Sequence, residues 1–286
     1  MAADQGGGLR TAGSALTLMA IVLLSGLVQI GILSSVGHLR TQQLAYADFR
    51  YELANGTAPV GQLNPDGLLY PFGTAIAVLD IPTLGMHEVV FEGTTPEVLR
   101  NGPGHRRDTS FPGQEGTSVL MARRAAYGGP FGKIDQLQPG DQITVTTGQG
   151  KQDYRVLGVR RAGDQAPLPL NPGQGRLTLV TADGDPFRPS GVLRVDAELV
   201  SKPVAMPSRP LRSSGLEDSE QAMANDKSAW IYLVLWTQAL ALAAAATAWA
   251  AASWGRAQAW LAGVPVLVVL GLAVTDQVAL LLPNLM

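Results

Sequence analysis

GVLRVDAELV, residues 191–200, alternates from Leu193 to Leu199: Leu193, Val195, Ala197 and Leu199 fall on one side, and Arg194, Asp196 and Glu198 on the other. A period of two belongs to an extended strand with one face buried, because successive side chains point to opposite faces of a sheet. The same signature recurs upstream. Residues 153–161 set Tyr154 and Val156 together, 142–147 do so with Ile143 and Val145, and 177–181 and 117–122 are short β-prone runs. Residues 74–81 and 87–91 open the series. Many short strands separated by Gly- and Pro-containing turns predict a mostly β domain over 74–200, a closed or nearly closed, antiparallel-dominated barrel. Short helices are expected at 96–100, with Thr95 as N-cap and Pro96 at the first position, and at 130–137, ended by Pro139-Gly140. Asp183-Gly184-Asp185-Pro186 reads as a turn.

The flanks have a different composition. No charged residue occurs from 11 to 37, and the apolar core at 16–33 is long enough to cross ~30 Å of hydrocarbon as a helix. A second uncharged run covers 228–255, with Trp230, Tyr232, Trp249 and Trp254 near its ends as interfacial aromatics would be. A third begins at 257, continues to Thr275 and resumes after Asp276. The predicted layout is a cytoplasmic N-terminus and first span at 1–37, a stalk at 38–73, and the barrel at 74–200. A linker at 201–227 and spans at 228–255 and 257–283 follow. The first span is read as a retained anchor, the alternative being a cleavable signal peptide. Arg10 and Arg256 favour an N-terminus inside and the barrel outside, although Arg40 and Lys227 flank the spans on the opposite side. Small residues at 241–252 and Gly263 would let helices approach closely, with each other or with a membrane-protein partner.

Composition removes several functions. A net charge of −2 gives no electrostatic footprint for nucleic acid. There is no cysteine, which excludes disulfides, thiolate metal sites and thiol nucleophiles. His38, His87 and His105 lack metal-ligand spacing, so neither a metal nor any other cofactor is expected.

The order of short motifs across 75–200 resembles the sortases, cysteine transpeptidases of Gram-positive cell surfaces, and most of all their actinobacterial, class E-like branch. The resemblance rests on Ile76 to Pro82 followed by Gly85, Val90-Phe91-Glu92-Gly93, Gly102-Pro103-Gly104-His105 and Phe111-Pro112-Gly113. It continues through Tyr127-Gly128-Gly129-Pro130-Phe131, Leu137-Gln138-Pro139-Gly140-Asp141 and Leu177-Thr178-Leu179-Val180-Thr181. It implies an eight-stranded sortase barrel outside the membrane, and chemistry by a Cys nucleophile, a His acid–base and an Arg that stabilises developing charge. This sequence departs from that set. Ala182 stands where the Cys belongs, directly after Thr181, and Arg123 stands where the His belongs; only Arg194 remains. A methyl group cannot attack a carbonyl, and a guanidinium does not exchange protons near neutral pH.

The expected protein is therefore a sortase-like binding or accessory subunit without transpeptidase activity, for a peptide or surface protein. Arg123, Arg124 and Arg194, with Thr181, are the candidate ligand-binding residues of a cationic cleft; alternatively the arginines pair with Asp183 or Asp185. Two other readings stay open. One is a residual enzyme using Thr181 or Ser190 with Asp183, Asp185 or His105 as base; the other is a membrane-assembly component with the barrel as a rigid cap.

Overall fold

The computed structural model describes residues 20, 24, 26, 33–185, 188–207, 211–253 and 255–286. The expected first span lies largely outside the described residues. Two compact units emerge: Lys227–Leu281 belongs to one, and Ser35–Asp226 together with Leu282–Met286 to the other.

The second unit is built on eight strands: β1 Ala75–Ile81, β2 Met86–Glu92, β3 Gly104–His105, β4 Gly116–Met121, β5 Gln142–Thr147, β6 Gly150–Arg160, β7 Gly175–Asp185 and β8 Arg188–Leu199. They close into a barrel in the order β1-β2-β3-β4-β7-β8-β6-β5. The barrel is mixed, because β2–β3 and β4–β7 pair in parallel. Parallel neighbours need a long crossover, and β5 and β6 are made inside the one that separates β4 from β7. The interior is filled from both halves by Ile76, Leu79, Leu120, Ile143, Val145, Tyr154, Leu177, Leu179, Leu193 and Val195, all buried. The inward face assigned to 191–200 is the one observed.

The expected helices at 96–100 and 130–137 are single 3-10 turns, Val98–Arg100 and Ile134–Gln136. Thr95 Oγ1 does accept the Val98 N–H, at 3.3 Å. The expected turn at 183–186 is instead strand through Asp185, with a register shift between Asp183 and Gly184 in the pairing with β8. Gly184 at φ +89° supplies the backbone that such a bulge requires.

The segments expected as a stalk and a linker lie on the barrel. Helix α1, Ser34–Asn55, seats Phe49 among Ala58, Val78, Val89, Phe91 and Val98. Gln42 clamps it: Oε1 accepts the Val89 N–H at 2.6 Å, and Nε2 donates to the Asn101 carbonyl at 2.8 Å. Gln62 donates to the Arg107 carbonyl at 2.6 Å and accepts from the Leu211 N–H at 3.0 Å, tying residues on both sides of the barrel sequence together. Val204 forms a bridge with Gln114.

The first unit contains α2, Ala229–Ser253, and α3, Arg256–Leu281. A Cβ added to Gly263 would lie 2.4 Å from the Thr247 methyl, so these small residues serve the packing of α2 on α3. Both helices are long and apolar enough to cross a bilayer, and only a small part of each apolar stretch is buried. Trp230, Ile231, Leu235, Leu242, Trp249 and Leu261 are exposed.

Gly104 shows how tightly the barrel is joined. A Cβ there would stand 2.2 Å from the Gly93 carbonyl oxygen and 2.8 Å from Leu99 Cδ2. Because the nearer obstacle is backbone, Gly104→Ala is expected to destabilise the barrel by about 3 kcal/mol or more, read as the loss of midpoint in chemical denaturation.

Candidate functional site

Strand β7 separates the site from the core by alternation. Leu177 and Leu179 point into the barrel, and Thr181 shares their face: it pairs with the core residue Leu193, is fully buried, and donates its hydroxyl to the Ala122 carbonyl at 2.9 Å. Thr178, Val180 and Ala182 occupy the outer face. Val180 and Ala182 join Leu99, Met121 and Leu285 in a separate apolar cluster, edged by Val119, Val192, Ala222 and Met223. Ala182 is 0% exposed.

The three arginines have different partners at this face. Arg123 is only 1% exposed; its guanidinium donates to the Pro96 carbonyl at 3.1 Å and lies 4.9 Å from the Tyr127 ring, which Arg100 also approaches at 5.4 Å. Tyr127 presents its ring from a left-handed backbone, φ +52°. Arg124 borders Ala182 directly. Its Nη1 donates to the Ala182 carbonyl and its Nη2 to Asp135 Oδ2, both at 3.2 Å. Arg194 pairs with Val180 across the sheet and with Arg160 on its other side, so it shares the outer face. Burial and the Arg160 guanidinium pull its pKa below the ordinary value, with Asp196 opposing them. Asp196 itself is held by Arg160 Nε at 2.9 Å. Asp183 is engaged by Arg161, at 3.4 Å. A cavity of about 250 Å³ adjoins this edge, lined by Leu157, Val159, Arg160, Asp164, Gln165 and Asp196 among others.

His105 is occupied elsewhere. It is fully buried, with Nδ1 2.9 Å from Glu92 Oε2 and Nε2 3.0 Å from the Ser110 carbonyl, so both ring nitrogens face acceptors within the fold. No group of His, Asp and Glu among the described residues has the arrangement of a metal site.

What sequence reasoning missed is the cover over Ala182. Leu285 is fully buried against it, and the Arg124 N–H donates to the Leu285 carbonyl at 2.9 Å. Asn284, also fully buried, donates from Nδ2 to the carbonyls of Thr94 and Gln221, both at 3.0 Å, and from its backbone N–H to Ala224 at 2.7 Å. The sole signal was Pro283-Asn284 interrupting the last apolar run; no periodicity in five residues marks a docked segment.

Glu220 borders the same region. Its carbonyl accepts the Thr94 hydroxyl at 2.7 Å and its carboxylate lies 3.9 Å from Arg107 Nη1. Burial pushes its pKa above the ordinary 4.5. The Glu217 N–H and Arg107 work against that shift, while the Glu217 and Glu92 charges add to it.

The model of the sortase domain matches residues 79–200, so the barrel is a sortase family domain. Sortase D of Bacillus subtilis (strain 168) is 29% identical over 85 residues, 30% of this chain and 41% of that protein. The match thus spans less than half of that curated relative. Among solved structures, the sortase D5 transpeptidase of Clostridium perfringens is 26% identical, with 58% of this chain and 100% of that one covered and a TM-score of 0.45. Sortase E1 of Streptomyces coelicolor, solved with a tripeptide in its active site, is 24% identical; 51% of this chain and 95% of that one are covered, with a TM-score of 0.38.

Glu220 gives a pH prediction. A carboxyl whose pKa is raised by folding keeps a proton that the unfolded chain has lost, so its stabilising effect fades as pH rises above 4.5 toward the raised value. Thermal melts across this window should show wild-type stability falling with pH. Glu220→Gln should flatten that slope and match or exceed wild type at neutral pH.

Proposed function

We propose that this chain is a membrane-held, sortase-like protein of the class E-like, actinobacterial type that does not catalyse transpeptidation and instead binds a peptide or surface protein as an accessory subunit. The observation that carries this reading is Ala182. The position that the family resemblance reserves for a thiolate holds a methyl group, sealed in an apolar cluster, in a chain without cysteine. Arg123, in the place of the acid–base histidine, is buried against Tyr127 and the Pro96 carbonyl, and a guanidinium holds its proton at neutral pH. Thr181 does not suit the role of a displaced nucleophile, since its hydroxyl faces the interior and is bonded to the Ala122 carbonyl.

The residues that remain suit recognition. The Arg194 guanidinium is half-buried on the outer face beside Arg160, whose own charge is paired with Asp196. A half-buried guanidinium attracts a carboxylate or an acidic side chain of a bound partner. Helices α2 and α3 expose Trp, Leu and Ile at many positions, which suits lipid contact far better than water. A pair of 25-residue stretches at 1.5 Å per residue exceeds the ~30 Å hydrocarbon thickness. Spanning helices, with the barrel on the extracellular side, would hold the binding face beside other surface proteins. Lipid-facing side chains also leave room for a membrane-protein partner.

Full-length protein in nanodiscs, mixed with a sorting-signal peptide and an amine nucleophile, is expected to yield no transfer product and no acyl adduct by mass spectrometry. Turnover would sink the non-catalytic reading. In native membranes, a photocrosslinker beside Arg194 should capture a surface protein in wild type, and Arg194→Ala should reduce that capture severalfold.

A further inference from the structure

The outer face of β7 carries an occupant from the same chain. Leu282–Met286 belongs to the barrel unit, although Leu281, the residue before it, ends α3. Its attachment has the features of a bound peptide. One large aliphatic side chain, Leu285, fills an apolar seat made by Leu99, Met121, Val180 and Ala182. Its carbonyl accepts a backbone N–H from Arg124, and its neighbour's amide, Asn284, donates to two backbone carbonyls, Thr94 and Gln221. Asn284 and Leu285 are both fully buried, and Met286 nearly so. Backbone-to-backbone bonds combined with a side-chain pocket are the general means by which a cleft recognises an extended peptide. The small side chain of Ala182 makes room for Leu285.

We infer that the cleft over Ala182 is a peptide seat occupied in cis by Leu282–Met286, and that a peptide of the same chemistry, an amide side chain followed by a large aliphatic residue, binds there only by displacing it. This rests on the reading of the barrel as a binding module and adds what holds the seat closed. Affinity for an incoming peptide is reduced by the fraction of molecules in which the seat is already filled. Weakening the cis segment therefore strengthens binding in trans.

The absence of cysteine gives a clean test. Ala182→Cys introduces a single thiol beneath Leu285, and its rate of modification by a maleimide reports whether the seat is covered. In full-length protein in nanodiscs, that thiol should label slowly. Adding Leu285→Ala, or Asn284→Ala with Leu285→Ala, should speed labelling at least tenfold, with melting temperatures recorded to verify that the barrel stays folded. The synthetic peptide Leu-Leu-Pro-Asn-Leu-Met should restore protection to the opened variants, whereas the same peptide with Ala at its Asn and second-to-last positions should not. Rapid labelling with the native segment intact, or rates unchanged by Leu285→Ala, overturns the seat. Opened variants that the peptide fails to protect overturn the exchange. Peptide transfer by the unaltered chain would instead defeat the non-catalytic reading and leave the seat standing.

Discussion

Strand β7 is hydrogen-bonded on both sides, parallel to β4 and antiparallel to β8, and its register cannot slip without turning every side chain to the wrong face. That constraint organises the molecule. Leu177, Leu179 and Thr181 are committed to the interior, so Val180 and Ala182 are committed to the outside. Anything the protein does at this face is then decided by what lies over those two residues and which charges border them. Arg194 comes to the border because it pairs with Val180, and Arg124 because β4 ends beside β7 and the chain turns there.

The strands were legible because each buries one face, and burial writes a period of two into the sequence. Their boundaries between 142 and 160 and the inward set of β8 follow that pattern closely. The parallel pairs were not legible, since pairing partners far apart in the chain leave no local mark. β3 is two residues long and carries no periodicity at all. The misread segment at 183–185 has Asp and Gly, ordinary turn residues, and only the partner strand β8 keeps it extended. The wrapping of 56–73 and 201–227 escaped notice for a related reason: Gly and Pro describe how a chain bends, and say nothing of the Gln62 and Val204 contacts that fasten it.

The site was half legible. Motif order singled out Ala182, Arg123 and Arg194; the structure buries Ala182 and sets Arg194 opposite Val180 on the neighbouring strand. Identity alone could not reveal that Arg123 turns inward onto Tyr127, which depends on the left-handed backbone of that tyrosine. Nor could it reveal Leu285, because a leucine at the end of an apolar run is indistinguishable from more of the same run. Arg124, noted for its charge, contributes chiefly its hydrogen bonds: one backbone N–H and two guanidinium donors that link Ala182, Asp135 and Leu285.

The position of Leu285 in the chain has a consequence for biogenesis. All eight strands are complete at Leu199, and about 86 further residues, including both apolar helices, must be made before Leu285 exists. At roughly 5–20 residues per second, the barrel waits on the order of 5–20 seconds in a nascent form whose outer β7 face has no lid. For that interval Met121, Val180 and Ala182 form an uncovered apolar patch on a growing polypeptide, the kind of surface that chaperones hold. Closure of this face is thus timed by translation, and it falls after both long apolar helices have been synthesised.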